Sequence, residues 1–62
     1  MTSKEIIRRI QAAGWAHART TGSPWHFQHA TRPGVVTVPH PKRDMAVGTL
    51  KSIERQSGVK LT

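Results

Sequence analysis

The sequence predicts an α+β fold in which one helix, three antiparallel strands and a second helix follow each other along the chain, in the order α-β-β-β-α. Apolar residues recur at helical spacing near both ends, and three short runs rich in aromatic or β-branched residues lie between them. Turn signals at residues 21–23 and 31–34 separate these runs. We therefore expect a single domain, residues 1–62, with a three-stranded meander, both helices on one face and the other face free.

The first helix is expected to begin after Thr2, because Glu5 follows three residues later and completes a capping box. Ser3 is the competing cap. Glu5 and Arg9 have the spacing of an i,i+4 ion pair, and Gly14 is expected to end the helix in the left-handed conformation. The stripe predicted to face the core comprises Ile6, Ile7, Ile10 and Ala13.

Three strands are predicted, over residues 15–20, 24–29 and 35–38. Pro24 can open the second strand because its missing N–H costs no ladder hydrogen bond at an edge. Side chains alternate along a strand. We therefore expect Trp25 and Phe27 to pack under the helices and His26 to point to the free face.

The second helix is predicted over residues 46–57, with Asp44 as its N-cap and Gly58 as its end. Residues 59–62 form a tail that either packs or frays. The buried stripe of this helix is expected to comprise Val47, Leu50 and Ile53.

The composition points to an anionic partner. Ten Lys and Arg residues face three acidic residues, giving a formal charge of +7 on 62 residues. Such a potential suits nucleic acid better than a membrane, because the cations are scattered rather than gathered on one amphipathic helix. The alternative is a basic surface that serves solubility alone. The chain has no cysteine, no apolar run of spanning length and no signal-like N-terminus, so we expect a soluble, cytoplasmic protein.

Several kinds of active site are disfavoured. The three carboxylates, Glu5, Asp44 and Glu54, are assigned to helix caps or helix surfaces, which argues against a carboxylate acid–base pair. The histidines and carboxylates lack metal-binding spacing, and no glycine-rich phosphate loop is present. We therefore expect neither a metal nor another cofactor.

Histidine and cation chemistry remains. RNA carries its own nucleophile, the 2′-OH, so a histidine that moves the proton and a cation that stabilises the phosphate can suffice. His26, with Arg19, Lys42 and Arg43, is the set that the sequence favours. His40 is interpreted as a phosphate contact or loop anchor. His17 and His29 are expected to be solvated surface residues.

Two strings of residues, and several isolated ones, carry a family resemblance. The strings are Gly34-Val35-Val36-Thr37-Val38-Pro39-His40-Pro41-Lys42-Arg43-Asp44 and Gly48-Thr49-Leu50-Lys51-Ser52-Ile53. The isolated matches are Gly14-Trp15, Arg19, Gly22-Ser23, Phe27, His29, Gln56 and Gly58. Through them the chain resembles the HicA-type toxins of HicA–HicB toxin–antitoxin pairs over nearly its whole length.

The resemblance implies a fold like that of double-stranded-RNA-binding domains, with the same α-β-β-β-α order. It also implies metal-independent endoribonuclease cleavage of mRNA, which arrests translation. The partner that it implies is an acidic HicB antitoxin, which would cover the basic face and suits the charge of +7.

One position departs from the family pattern. HicA-type toxins usually carry the catalytic histidine directly after the Gly-Ser turn, where this chain has Pro24, which cannot transfer a proton. Three explanations stay open. His26, two residues on and roughly 6.6 Å away at strand rise, substitutes for it; the chain is a variant with weak or altered activity; or the proline is an engineered change that abolishes toxicity.

The predicted site therefore has His26 as its catalytic residue, on a shallow basic groove across the free sheet face. The groove is expected to lie between the turn at residues 22–23 and the loop at residues 39–43. An RNA- or antitoxin-binding module without activity is the alternative that Pro24 favours, and a DNA-contacting subunit is a weaker one. The predicted RNA contacts are Arg19, Ser23, His40, Lys42, Arg43 and Lys51.

Overall fold

The three strands of the protein form one antiparallel sheet and lie side by side in their order along the chain, as predicted. The structure is a computed structural model that describes residues 1–18 and 22–62. The elements are α1 (Ser3–Ala12), β1 (Trp15–His17), β2 (Trp25–His29), β3 (Val36–Val38) and α2 (Val47–Ser57). The predicted element order and fold class are confirmed.

Strand alternation separates a helix-covered face from a free face. Trp15 pairs with His29 across β1 and β2, and Trp25 pairs with Val38 across β2 and β3. Phe27 lies between β1 and β3 and is fully buried. The core on the covered face consists of Ile6, Ile7, Ile10, Trp15, Phe27, Val36, Val38, Met45, Leu50, Ile53 and Leu61, with Trp25 and Val59 packed against it.

Helix α1 begins as predicted, but only half of the capping box forms. The Thr2 hydroxyl accepts the Glu5 N–H at 3.1 Å. The Glu5 carboxylate does not return to the Thr2 backbone, because it binds the guanidinium groups of Arg8 and Arg9. Ala13, predicted to be buried, is exposed at the end of the helix.

Helix α2 begins at Val47, and the prediction that Asp44 caps it is wrong. The N-cap residue is Ala46, which makes no side-chain hydrogen bond. Val47 is 63% exposed rather than buried, because Met45 fills the core at this end of the helix. Gly58 ends α2 as expected, with φ +73° and its N–H bonded to the Glu54 carbonyl at 2.8 Å.

All three strands are shorter than predicted. The pairing of β1 with β2 continues to Ala18, whose N–H donates to the His26 carbonyl at 2.8 Å. Residues 19 and 20, which complete the predicted strand, lie outside the described residues. Strand β2 begins at Trp25, after Pro24, and β3 begins after Val35, which is 46% exposed.

The outer edge of β3 is closed by a side chain. The Thr37 N–H points away from β2 and donates to the Gln56 Oε1 atom of α2 at 3.1 Å. The next outward-facing position is Pro39, which has no N–H. Helix α2 therefore covers an edge that would otherwise be open to strand pairing.

The C-terminal tail packs against α2. Leu61 is buried, and the Glu54 carboxylate accepts the N–H groups of Leu61 and Thr62 at 2.6 and 2.9 Å. These bonds hold the tail along the last turns of the helix. Within residues 1–18 and 22–62, no helix is long and apolar enough to cross a membrane.

Candidate functional site

His26 lies on the free face of β2, as strand alternation predicts. It is half-buried and stands opposite Thr37 of β3. Its Nδ1 atom lies 3.1 Å from the Thr37 hydroxyl. This cross-strand contact orients the ring and leaves the Nε2 atom as the nitrogen available to a ligand.

The strand residues around His26 on the free face are uncharged. By alternation, the side chains that share this face in β1 and β2 are those of Ala16, His26 and Gln28, with Thr37 beside them in β3. Neither Lys nor Arg occurs within the three strands, and the described residues enclose no pocket. The predicted basic groove across this face is therefore not formed by the strands themselves, whose cationic neighbours lie in loops and helices.

A second histidine, His40, is held in the loop between β3 and α2. Its Nδ1 atom lies 2.7 Å from the Ser3 hydroxyl oxygen at the start of α1. Its backbone N–H donates to the Ser23 hydroxyl at 3.3 Å. The loop is thus fixed both to α1 and to the turn that precedes β2, and the interpretation of His40 as a loop anchor fits these contacts.

Ser3 binds this loop with both its backbone and its side chain. The Ser3 N–H donates to the Lys42 carbonyl at 2.8 Å, and the Lys42 N–H donates to Ser3 Oγ at 2.8 Å. Ser3 is only 2% exposed, although serine is usually a surface residue. Ser3 is therefore a structural link between α1 and the loop rather than a helix cap.

The rings of His17 and His40 flank Trp25 at the start of β2. His17 stacks on the indole with ring centroids 3.9 Å apart and an interplanar angle of 8°. His40 meets the same indole edge-on, with centroids 4.6 Å apart. His17 is exposed, as predicted, and one face of its ring is in addition covered by the indole of Trp25.

The prediction that His29 is a solvated surface residue is wrong, because the residue is half-buried and both of its ring nitrogens are engaged. Its Nε2 atom lies 3.0 Å from the Ala13 carbonyl, and its Nδ1 atom accepts the Thr31 N–H at 3.1 Å. The ring packs edge-on against Trp15, with centroids 5.1 Å apart. His29 therefore fastens β2 to the end of α1. In the sequence, Gly14 is the residue that indicates this contact. Any other residue there would place a Cβ atom 2.6 Å from His29 Nε2.

The structure brings together some of the predicted RNA contacts. Ser23, His40 and Lys42 are joined through hydrogen bonds to one another or to Ser3, and Arg43 follows directly in the same exposed loop. Lys51 stands apart on α2, next to the Glu54 carboxylate. Arg19 lies outside the described residues.

Both the sequence and the fold have relatives among known toxins. A model of the HicA toxins of bacterial toxin–antitoxin systems matches residues 3–59. The chain belongs to the HicA toxin family. It is also similar to a solved chain from a complex described as "HicA3 and HicB3 toxin-antitoxin complex", with 29% identity, a TM-score of 0.78 and full coverage of both chains. No curated protein matches it.

Within this HicA fold, Pro24 is exposed and lies between two residues that contact His40. Ser23 precedes it and binds the His40 backbone, and Trp25 follows it and contacts the His40 ring. Position 24, which carries a histidine in the family pattern, is thus flanked in the sequence by two residues that contact His40. His26 follows Trp25 in the strand and therefore lies on the opposite face of the sheet from the indole that contacts His40.

Two of the three side-chain carboxylates of this HicA chain, Glu5 and Glu54, have structural partners. The hydrogen bond from Arg8 lowers the pKa of Glu5 from 4.5 to about 2, with Arg9 adding to the effect. The N–H groups of Thr62 and Leu61 lower the pKa of Glu54. Among the residues that the structure describes, no group of three His, Cys, Asp or Glu side chains is arranged to hold a metal ion.

Proposed function

We propose that this HicA chain is an endoribonuclease toxin that cleaves mRNA without a metal ion and thereby arrests translation. The observation that carries the proposal is a histidine with an open ring nitrogen in the same loop as Lys42 and Arg43, in a family member with a charge of +7. Since mRNA is the substrate, the site of action is the cytoplasm.

The chemistry needs few protein groups. The 2′-OH of the RNA attacks the neighbouring phosphorus, a histidine takes the proton, and Lys or Arg stabilises the crowded phosphate. Two histidines in the described chain keep an Nε2 atom without an internal partner, His26 and His40. His26 is the residue that sequence reasoning favours, and either ring has the right chemistry.

RNA binding is proposed for the loop that follows β3 and for the turn that precedes β2. Ser23, His40, Lys42 and Arg43 lie on these adjacent segments, where backbone and hydroxyl groups can join the cations in binding phosphate. Arg19 and Lys51 are further proposed contacts from the sequence. Such binding should be strongly salt-dependent.

The proposed protein partner is an acidic HicB antitoxin. The similar HicA3 chain comes from a complex with HicB3, and a charge of +7 provides the complementary surface for an acidic protein. A partner bound over the cationic loop would also exclude RNA from it.

A second candidate function is supported by Pro24. Because proline has no group that can transfer a proton, the chain would then hold RNA or its antitoxin without cutting RNA. The rest of the fold is compatible with this function, since binding through charge and shape needs no catalytic histidine.

One experiment separates the two functions. The purified chain and its Pro24→His variant are incubated with single-stranded mRNA in EDTA, and the fragments are resolved on a gel. Cleavage by the unchanged chain is expected. Cleavage by Pro24→His alone would establish the binding module instead. Activity that requires added Mg²⁺ would refute the metal-independent mechanism.

A further inference from the structure

The hydrogen bonds of three histidines show which ring nitrogens are used within the fold and which are available to a ligand. Both nitrogens of His29 are engaged, one with the Ala13 carbonyl and one with the Thr31 N–H. His26 and His40 each use Nδ1 internally. The described residues contain no side-chain nitrogen that is buried without a partner, so both Nε2 atoms face solvent.

The residues that contact Nδ1 of these two rings differ in burial and in their further hydrogen bonds. His26 contacts Thr37, a half-buried residue on the free face of the sheet. His40 contacts Ser3 Oγ, which belongs to a buried residue and also accepts the Lys42 N–H. A hydroxyl oxygen has two lone pairs, so Ser3 can accept from both Lys42 N–H and His40 Nδ1–H. In the tautomer that carries its proton on Nδ1, Nε2 of His40 is the ring nitrogen that can accept a proton, and the contact with Ser3 sets its direction.

Trp25 adds a second constraint on the His40 ring. The two rings meet edge-on with centroids 4.6 Å apart, and His17 supports the indole by stacking on it. In active sites, a proton-transfer residue is commonly oriented in this way, by a hydrogen bond from a third group and by packing of its ring.

The charges around the two histidines also differ. His40 is followed two and three residues later by Lys42 and Arg43, in an exposed loop whose backbone is fixed by Ser3. The strand neighbours of His26 are uncharged. Among the residues that the structure describes, the site of His40 therefore has a proton acceptor in the same loop as two cations that can stabilise a phosphorane-like phosphate, and the strand residues around His26 provide none.

We propose that His40 Nε2, positioned by Ser3, is the atom that takes the proton in RNA cleavage. This inference rests on the proposed function. The 2′-oxygen forms a bond to phosphorus as its proton passes to Nε2, and the bond from phosphorus to the 5′-oxygen of the next nucleotide breaks. Water protonates that leaving oxygen, and the imidazolium returns its proton to the resulting hydroxide. The products are a 2′,3′-cyclic phosphate and a 5′-hydroxyl.

The central test replaces His40 with asparagine. The amide of His40→Asn can keep a hydrogen bond to Ser3 but cannot accept a proton at neutral pH, so the fold is retained while proton transfer is abolished. We expect the single-turnover cleavage rate in EDTA to fall at least about 100-fold, with unchanged circular dichroism and melting temperature. Gln28→Ala, on the free face of β2, is the control for a surface change.

The role of Ser3 is tested by a matched pair of variants. Ser3→Ala removes the hydroxyl beside His40 Nδ1, and Thr37→Val removes the hydroxyl beside His26 Nδ1. Ser3→Ala is expected to lower the cleavage rate and to shift its pH profile, whereas Thr37→Val should leave the profile in place. A purely structural role for Ser3 would change stability without moving the pH profile.

The outcomes distinguish this inference from the function on which it rests. Two results would overturn the role of His40 and leave the proposed function standing. In one, both the unchanged chain and His40→Asn cleave RNA at the full rate. In the other, His26→Ala is inactive while His40→Asn keeps full activity. An inert unchanged chain with an active Pro24→His variant overturns both, since His40 is then present and insufficient. Fragments ending in a 3′-phosphate monoester at the earliest time point would refute the proposed cyclising step.

Discussion

At the scale of single residues, the contact between Gly14 and His29 shows how one backbone conformation joins two elements. Gly14 has φ +99°, in the region that favours glycine, and it lies where α1 turns into β1. Because no Cβ atom is present, the His29 ring can approach closely enough to reach the Ala13 carbonyl. The junction of helix and sheet therefore depends on a missing side chain.

Replacing this glycine should be costly. Gly14→Ala places a Cβ atom 2.6 Å from His29 Nε2 and strains a positive φ, so we expect the free energy of unfolding to fall by more than about 1 kcal/mol. Urea denaturation measures the change. Gly48→Ala is the matched control, because a Cβ atom there meets nothing within 4 Å and the residue is helical. It should be neutral or stabilising, and equal destabilisation of both variants would contradict the explanation.

Residues whose environment depends on local pattern were predictable. Alternation alone placed Phe27 in the core and His26 on the free face, because both lie within one regular strand. The partners of His29 and His40 were not predictable in this way. Ser3 and His40 are separated by 37 positions, and no local periodicity reports a contact that only the folded loop creates.

At the scale of elements, α2 and the tail are connected through one carboxylate. Glu54 binds the N–H groups of Leu61 and Thr62, and these bonds lower its pKa. A carboxyl group whose pKa is lowered on folding stabilises the fold above its ordinary pKa. That contribution is lost as the pH falls through the lowered value.

The tail should therefore respond to acid through Glu54. We expect Glu54→Gln to be less stable than the unchanged chain at pH 7, and the difference to shrink as the pH falls below the ordinary glutamate range. Denaturation series at several pH values measure it. Asp44→Asn is the control, because Asp44 is exposed and does not cap α2. A gap for Glu54→Gln that stays constant down to low pH would contradict the role of its charge.

Element boundaries also show where local rules fail. Asp44 has the right residue type for a cap, yet Ala46 occupies the N-cap position of α2. The Met45 N–H donates to the Met1 carbonyl at 3.3 Å, and the Met45 side chain is buried in the core. These contacts fix the backbone between Asp44 and the helix, so Asp44 does not occupy the N-cap position. The helix itself was predictable, because the Leu50 and Ile53 spacing determines which face is buried.

At the scale of the whole molecule, the Lys and Arg residues lie outside the strands of the sheet. The strands that form the free face contain no Lys or Arg, while the cations outside them include those of the loop that carries His40. A polyanion is therefore expected to follow the loop and the adjacent turn rather than the centre of the sheet. The net charge could be counted from the sequence, but the positions of the charges on the surface could be known only from the folded structure.

Salt dependence tests this distribution. Binding to single-stranded RNA blocked by 2′-O-methyl groups should weaken linearly in a plot of log affinity against log salt. Removing one phosphate-binding cation should reduce the slope by about 0.7, so Lys42→Ala with Arg43→Ala should reduce it by about 1.4. Arg8→Ala, which removes a cation already paired with Glu5, is the control. A reduction of about 0.7 in Arg8→Ala as well would mean that only the total charge of the protein matters.

The closed edge of β3 restricts how any partner can bind. Gln56 already accepts the outward N–H of Thr37, and Pro39 offers none. A protein that adds a strand to the sheet at this edge would therefore find no free N–H donor at positions 37 and 39. We expect an inhibitor of this chain to bind the β3 side through side chains and charge. Such an interface can diverge in sequence between toxin–antitoxin pairs, which keeps each toxin specific to its own antitoxin.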